Sequence, residues 1–172
     1  MSDKINNAKS FPASNIASFS RNSFGERLCG DIAFHDHEGD WSFLAIVDGL
    51  GHGFEANKAA ETAKDFLSAK WSRNVIKTIK ELHETLQDTI GAAAGLASID
   101  NKNDILHYAA IGNTVFRIIG ENSVRLTSSE GILGKNIRSP KEQTISLKGN
   151  ELILMYSDGV SDSFDLKDYP AA

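Results

Sequence analysis

The chain has 172 residues, which suits one domain with one hydrophobic core. Apolar residues make up 41% of it, a fraction typical of globular proteins rather than disordered ones. Its 18 basic residues against 23 acidic ones give a net charge of −5, without a basic run, which argues against nucleic acid and anionic membranes as partners.

Two further features bear on the compartment. Cys29 is the only cysteine, so no intrachain disulfide can form, as is usual in a reducing cytosol. The sequence has no signal-peptide core and no stretch near the roughly 20 apolar residues of a membrane span. We therefore expect a cytoplasmic protein without a membrane segment.

The chain begins with a polar segment, residues 1–14, which predicts a mobile arm ahead of a single domain over residues 15–172. Asn15–Arg21 alternates in polarity and predicts an edge strand. Leu28–His35 predicts a second strand with one apolar face. Residues 35–40 are rich in His and carboxylates, but we interpret them as a hairpin loop. Glu38-Gly39-Asp40 favours a turn, and ligands from one short loop converge poorly on a metal ion.

The next strand ends on a carboxylate. Trp41–Val47 is an apolar run of strand length, and Asp48 follows it, with glycines at positions 49, 51 and 53. Glycines allow a sharp turn and a close approach of the backbone to a ligand. The segment indicates either a carboxylate presented to a hard metal ion at the rim of a sheet or an Asp that only caps the following helix.

Two helices are predicted after this turn. Phe54–Trp71 carries an apolar, alanine-rich stripe at helical spacing, and Val75–Ile90 carries a second stripe. Two consecutive long helices predict a layer packed on one side of a sheet.

The remainder predicts short strands joined by turns. Residues 100–104 lack the glycine and the closing glutamate of a calcium loop and are interpreted as a hairpin turn. Gly131–Lys135 is too short for a phosphate loop and is interpreted as an ordinary loop. Long helices between runs of hairpin strands predict an α+β fold with antiparallel sheets covered by helices. The predicted strands are Ala93–Ile99, Ile105–Ile111, Thr114–Ile119, Ser123–Leu126, Gln143–Leu147 and Glu151–Tyr156.

Three acidic motifs are associated with these strands. Gly30-Asp31 precedes the Asp48 strand by one hairpin, and Ser157-Asp158-Gly159 ends the apolar strand near the end of the sequence. Two strands that end in Asp-Gly, with a Gly-Asp beside a third, form an arrangement that hard divalent cations use.

These motifs also carry a family resemblance. Cys29-Gly30-Asp31, Val47–Gly53 with its alanine-rich helix, Ile111-Gly112-Asn113 and Ser157–Val160 resemble the metal-dependent serine/threonine protein phosphatases, the type 2C or PPM family. The match is to the bacterial SpoIIE/RsbU-like branch, and within it to the RsbX-type stressosome phosphatases. The resemblance covers about Asn15 to Asp162. It implies an α-β-β-α sandwich, in which two antiparallel sheets are flanked by helices and metal ions lie at one rim.

The resemblance also implies the chemistry and the residues. The cofactor would be Mn²⁺ or Mg²⁺, as two ions, and water activated by the metal would attack the phosphorus of a phosphoserine or phosphothreonine. Asp48 would bridge the ions and position the water. Asp31, Asp158 and the Gly49 carbonyl would be further ligands. His52 is a candidate for substrate binding near the leaving group, with a solvent-facing residue at the helix start as the alternative.

The last part of the chain departs from the family pattern. The family usually closes with another strand that bears an aspartate, whereas no apolar strand follows Asp158 here. We therefore expect a domain without that strand, and we assign no role to Asp162, Asp165 or Asp168.

Three functions remain open at this stage. The first is a monomeric phosphatase that acts on a phosphorylated stressosome scaffold protein. The second is a phosphatase-like binding module without catalysis. The third is a phosphatase of a phosphorylated anti-sigma-factor antagonist.

Overall fold

The computed structural model of the protein describes residues 16–20 and 28–160. The predicted arm, residues 1–14, and Asp162, Asp165 and Asp168 lie outside the described residues. The predicted edge strand Asn15–Arg21 is wrong over residues 16–20, which form no regular element. Phe19 is 88% exposed, so this segment has no buried face with which to join a sheet.

The described residues form a mixed fold of strands and helices. Most predicted elements are present, with their ends moved by one to a few residues. In chain order, they are β1 (Asp31–Glu38), β2 (Trp41–Gly49), α1 (Gly53–Lys70), α2 (Val75–Thr85), β3 (Ala92–Asp100), β4 (Ile105–Ile111), β5 (Val115–Ile119), β6 (Val124–Leu126), β7 (Gly131–Ile132), β8 (Asn136–Ile137), β9 (Gln143–Ser146) and β10 (Leu152–Tyr156).

The larger sheet has five antiparallel strands in the order β1-β2-β3-β4-β9. Both helices pack on one of its faces. Small alanines on α1 allow the helix to lie close to the sheet, as its composition predicts. This core buries the odd-numbered side chains of β2 under the helices, including Phe43, Ala45 and Val47, together with Ile79 and Leu82 of α2.

The other face of the five-stranded sheet packs on a second antiparallel sheet with the order β10-β5-β6. A separate core fills the space between the sheets, where Tyr108 and Phe116 pack with ring centroids 4.5 Å apart. The predicted α+β class, with two antiparallel sheets face to face and helices outside, is confirmed. In the part of the chain that is described, both helices lie on the five-stranded sheet.

The β1–β2 hairpin corrects the predicted boundaries. β1 begins at Asp31 rather than Leu28, and it continues through Glu38, with only Gly39 and Asp40 in the turn. His35 and His37 are therefore strand residues rather than loop residues. Leu28 is 41% exposed, which shows that the sheet does not bury the start of the predicted strand.

The second helix ends earlier than its apolar stripe predicts. α2 stops at Thr85, and residues 86–90 form turns. The Thr89 hydroxyl donates to the Leu86 carbonyl (2.7 Å) and accepts from the Gly91 N–H (3.1 Å), so side-chain bonds replace the next helical turn. Leu86 is nevertheless buried, which explains why it fits the stripe.

The segment predicted as a loop over Gly131–Lys135 contains part of a small hairpin, β7–β8. Paired backbone bonds between Ala92 and Leu133 attach this hairpin to β3. Its turn contacts the end of α2, where the Gly134 N–H donates to His83 Nδ1 at 3.0 Å. The hairpin thereby forms one wall of the cleft described below.

Across the described ranges, neither helix combines the length and the apolar character needed to cross a bilayer.

Candidate metal centre

The site begins with two aspartates on neighbouring strands. Asp31 and Asp48 stand directly opposite each other in the β1–β2 register. The Gly49 N–H donates to the Gly30 carbonyl at 2.9 Å, so the next pair along is the hydrogen-bonded one. Asp31 and Asp48 therefore form a non-hydrogen-bonded pair, in which side chains lie closest, with Cβ atoms about 4.5 to 5.5 Å apart. Both face the second sheet, because Ile32 and Val47 face the helices.

A third aspartate reaches this point from the second sheet. β10 ends at Tyr156, and Asp158 follows two residues later. Asn113, in the connection between β4 and β5, donates through Nδ2 to Asp158 Oδ2 at 3.1 Å. Ser157 donates through Oγ to Asp31 Oδ2 at 3.0 Å. The end of β10 thus joins the acidic pair of the first sheet.

The three carboxylates affect one another electrostatically. Partial burial, then the charge and hydrogen bond of Asp31, and then the charge of Asp158, raise the pKa of Asp48 from 3.8 to about 7. Each of these causes disfavours the ionised form of Asp48. A cation placed among these groups would remove the repulsion and favour the ionised form.

The turn after Asp48 is held tightly against α1. A Cβ atom at Gly49 would lie 2.2 Å from the Ala56 carbonyl oxygen, so no larger residue fits there. Gly51 and Gly53 have positive φ angles of 80° and 76°, which favour glycine. The Leu50 N–H donates to the Gly91 carbonyl at 2.9 Å. The glycines of the motif are therefore required by packing and by backbone conformation.

A cleft of about 520 Å³ opens over the acidic group. Asp48 and Asp158 lie in its wall, together with Asn113, Glu130 and Leu50. Its lining also has an apolar part, formed by Leu50, which is 45% exposed, and Ile132. An adjoining cavity of about 680 Å³ shares Asn113, Ser128 and Asp158 with this cleft.

The donor atoms fit a hard divalent cation. Carboxylates and a main-chain carbonyl are the ligands that Mg²⁺ and Mn²⁺ take, and Mg²⁺ usually keeps several waters. Within residues 16–20 and 28–160, no three His, Cys, Asp or Glu side chains close on one point tightly enough to hold a metal by themselves. The arrangement therefore suits an ion that is bound by one or two carboxylates and whose remaining coordination positions are filled by water.

The predicted site residues have different positions in the structure. Asp31, Asp48 and Asp158 come together, and Gly49 directly follows Asp48 in the turn. His52 is exposed at the N-cap of α1, where its side chain makes no capping bond, and it lies outside the lining of the cleft.

Sequence reasoning missed three residues at this site. Asn113 belongs to a motif that the resemblance includes but gives no role. Ser157 directly precedes a predicted ligand, and its hydroxyl was the only available signal. Glu130 lies in the wall of the cleft and pairs with Arg138 at 3.2 Å. Glu130 directly precedes Gly131, but no apolar strand runs up to it, as strands do to Asp48 and Asp158.

Comparisons with known proteins agree with this description. The profile of the SpoIIE family (stage II sporulation protein E) matches residues 38–170. The chain is 27% identical over 143 residues to the phosphoserine phosphatase RsbX of Bacillus subtilis (strain 168), covering 81% of this chain and 71% of the relative.

Solved structures give the same result. A chain from work on the bacterial stressosome, as a modular system adapted to control secondary messenger signalling, superposes with a TM-score of 0.81 at 29% identity, covering 86% of this chain and 78% of the other. A crystal structure of RsbX in complex with magnesium gives a TM-score of 0.79 at 23% identity, covering 87% and 76%. The second likeness shows the fold.

Proposed function

This chain belongs to the SpoIIE family of PP2C-type phosphatases, and on that premise we propose that it is a Mg²⁺- or Mn²⁺-dependent serine/threonine protein phosphatase of a phosphorylated stressosome scaffold protein. The observation that carries the proposal is the meeting of Asp31, Asp48 and Asp158 under one open cleft. A cation bound here would relieve the repulsion among the carboxylates and would supply the positive charge that an acidic cleft lacks for binding a phosphate.

Each site residue has a role in this proposal. Asp48, whose carboxyl group is influenced by both Asp31 and Asp158, would hold the ions and orient the water. Asp31, Asp158 and the Gly49 carbonyl would be the other protein ligands. When bound, the ions would supply Lewis acidity to activate water and to neutralise phosphoryl oxygens. His52, at the exposed start of α1, meets the substrate outside the cleft.

The apolar part of the cleft favours a protein substrate. Leu50 and Ile132 place apolar surface in the cleft beside the acidic group, and such surface is suited to side chains that flank a phosphorylated residue.

The finer identity of the substrate rests on the relatives. One is a phosphoserine phosphatase, and one matched structure comes from work on the stressosome. We extend both to this chain as its substrate class and pathway. A cytoplasmic location and a monomeric state are proposed alongside them, and neither rests on the relatives.

The test is release of phosphate from a phosphorylated stressosome scaffold protein, with Mg²⁺, with Mn²⁺ and with EDTA. We expect release that depends on the metal and that falls at least about 100-fold in Asp48→Asn, since that variant loses the bridging charge. Asp65→Asn, on the exposed side of α1, is the matched control and should keep full activity.

Two outcomes would contradict the proposal. Metal binding without release from any phosphoprotein would identify a binding module. Release from a phosphorylated anti-sigma-factor antagonist, with the scaffold protein untouched, would keep the chemistry and reject the substrate.

A further inference from the structure

We infer that Ser157 and Asn113 are positioning residues that set the affinity of the site for its divalent cation, because each fixes one carboxylate ligand by a hydrogen bond. The inference rests on the proposed function only in taking Asp31 and Asp158 as metal ligands.

Ser157 fixes Asp31 from the opposite sheet. Ser157 is only 7% exposed, and its Oγ donates to Asp31 Oδ2 at 3.0 Å. Asp31 begins β1, which pairs with β2 alone among the described strands, so no neighbouring strand confines the outer side of Asp31. The hydroxyl of Ser157 engages one carboxylate oxygen and leaves the other for Asp48 and the cation. The same bond ties the end of β10 to the first sheet.

Asn113 fixes Asp158 in a similar way. Its Nδ2 donates to Asp158 Oδ2, which leaves Oδ1 for a cation. The backbone that carries Asn113 is rigid, because the Gly112 N–H donates to the Ser129 carbonyl (3.0 Å) and the Ser129 N–H donates to the Ala110 carbonyl (2.9 Å). Gly112 has a φ of +92°, and a Cβ there would lie 2.5 Å from the Ala93 Cβ. A firmly held amide therefore orients a carboxylate that lies beyond the end of its strand.

The two contacts act on metal binding rather than on the chemical step. A carboxylate that has lost its donor must be ordered when the ion binds, and loss of such outer partners typically lowers metal affinity by about 10- to 100-fold. Once the ion is bound, the ion itself orients the carboxylate. We therefore expect Ser157→Ala and Asn113→Ala each to raise the Kd for Mg²⁺ by about tenfold or more, while kcat at saturating Mg²⁺ stays within a few-fold of wild type.

The experiment measures Mg²⁺ binding to the full chain by calorimetry, with turnover measured in parallel. Ser157→Thr keeps the hydroxyl and should restore the wild-type Kd. Ser98→Ala removes a buried hydroxyl that makes no hydrogen bond, and Asn101→Ala removes an amide that binds Ser42 (2.8 Å) at the other end of the sheet. Both controls should bind Mg²⁺ like wild type.

A double variant tests whether the effect of Ser157 on Mg²⁺ affinity acts through Asp31. In an Asp31→Ala background, Ser157→Ala should cause no additional loss of affinity, because the acceptor of its hydrogen bond has already been removed. Equal losses in both backgrounds, or Kd values in the single alanine variants equal to wild type, would overturn the inference.

Failure of the proposed function gives a different result. If wild type binds Mg²⁺ but releases no phosphate, the function is wrong, yet the binding constants still decide the roles of Ser157 and Asn113. Normal turnover together with unchanged metal affinity in both variants would reject those roles and leave the function intact.

Discussion

Replacing Asp48 by Asn should stabilise the metal-free protein while it destroys the metal site. The pKa of Asp48 is raised from 3.8 to about 7 in the folded state, by burial first and then by Asp31 and Asp158. Below pH 4, Asp48 is protonated in both the folded and the unfolded chain. Between pH 4 and pH 7, the unfolded chain releases this proton while the folded chain keeps it, so the free energy of unfolding falls as the pH rises. Above pH 7, Asp48 is ionised in the folded chain too, and the full cost of its unfavourable environment lowers the free energy of unfolding.

The size of the effect follows from the same values. A rise from 3.8 to about 7 corresponds to roughly 4 kcal/mol at about 1.36 kcal/mol per pH unit. Asp48 is only half-buried, and solvent screening reduces this penalty to about 1 to 2 kcal/mol. Asn has nearly the same shape without the charge. Asp48→Asn should therefore raise the midpoint of thermal unfolding by about 2 to 8 °C at pH 8 and hardly at all at pH 4.5.

The assay is urea and thermal unfolding in EDTA at pH 4.5, 6 and 8. Wild type, Asp48→Asn and the surface control Asp65→Asn are compared at each pH. Saturating Mg²⁺ should make wild type more stable than Asp48→Asn, since wild type gains binding free energy that Asp48→Asn cannot gain. Parallel pH profiles for wild type and Asp48→Asn, or a less stable Asp48→Asn at pH 8, would refute the electrostatic reasoning.

Three further predictions concern packing, the cleft and the metal. Gly49→Ala should destabilise the protein by about 3 kcal/mol or more in urea unfolding, because its Cβ would lie 2.2 Å from the Ala56 carbonyl oxygen; an unchanged midpoint would contradict this. Leu50→Ser should raise KM for a phosphoprotein severalfold and leave KM for a small aryl phosphate unchanged, because Leu50 lines the cleft and is 45% exposed; equal effects on both substrates would show that this side chain does not recognise the protein. Mg²⁺ at about 100 times its Kd should add roughly 2.7 kcal/mol to the free energy of unfolding, measured against a metal-free sample in EDTA, and no shift would mean no binding.

The sequence predicted best where pattern and packing agree. Hydrophobic periodicity and composition predicted three elements directly, because each buries one face against a neighbouring element. They are β2, the alanine-rich stripe of α1, and β4. Asp31 and Asp48 were predicted as site residues because each adjoins a glycine at the end of a strand. The phosphatase family was predicted through the resemblance, and the comparisons confirm it. The divalent cofactor was predicted in the same way and stays a prediction.

The sequence predicted poorly where side chains compete with the backbone or act across the fold. The end of α2 depends on Thr89, whose hydroxyl bonds to the backbone replace a helical turn that the apolar stripe favours. The contacts of Ser157 and Asn113 join residues 126 and 45 positions apart in the chain. No local pattern encodes either pair. The contact between Ser157 and Asp31 depends on how the two sheets are placed against each other, and the contact between Asn113 and Asp158 depends on the pairing of β5 with β10.

The separation between Ser157 and Asp31 has a consequence for biosynthesis. The ribosome adds Ser157 126 residues after Asp31, when β1 to β4 can already pair with their neighbours in sequence. Contacts between sequence neighbours form early in folding, and contacts over long separations form late. The nascent chain therefore carries a nearly finished first sheet with only two of its three aspartates in place. On the roles proposed for the three aspartates, a chain that stops before Asp158 should therefore release no phosphate from its target.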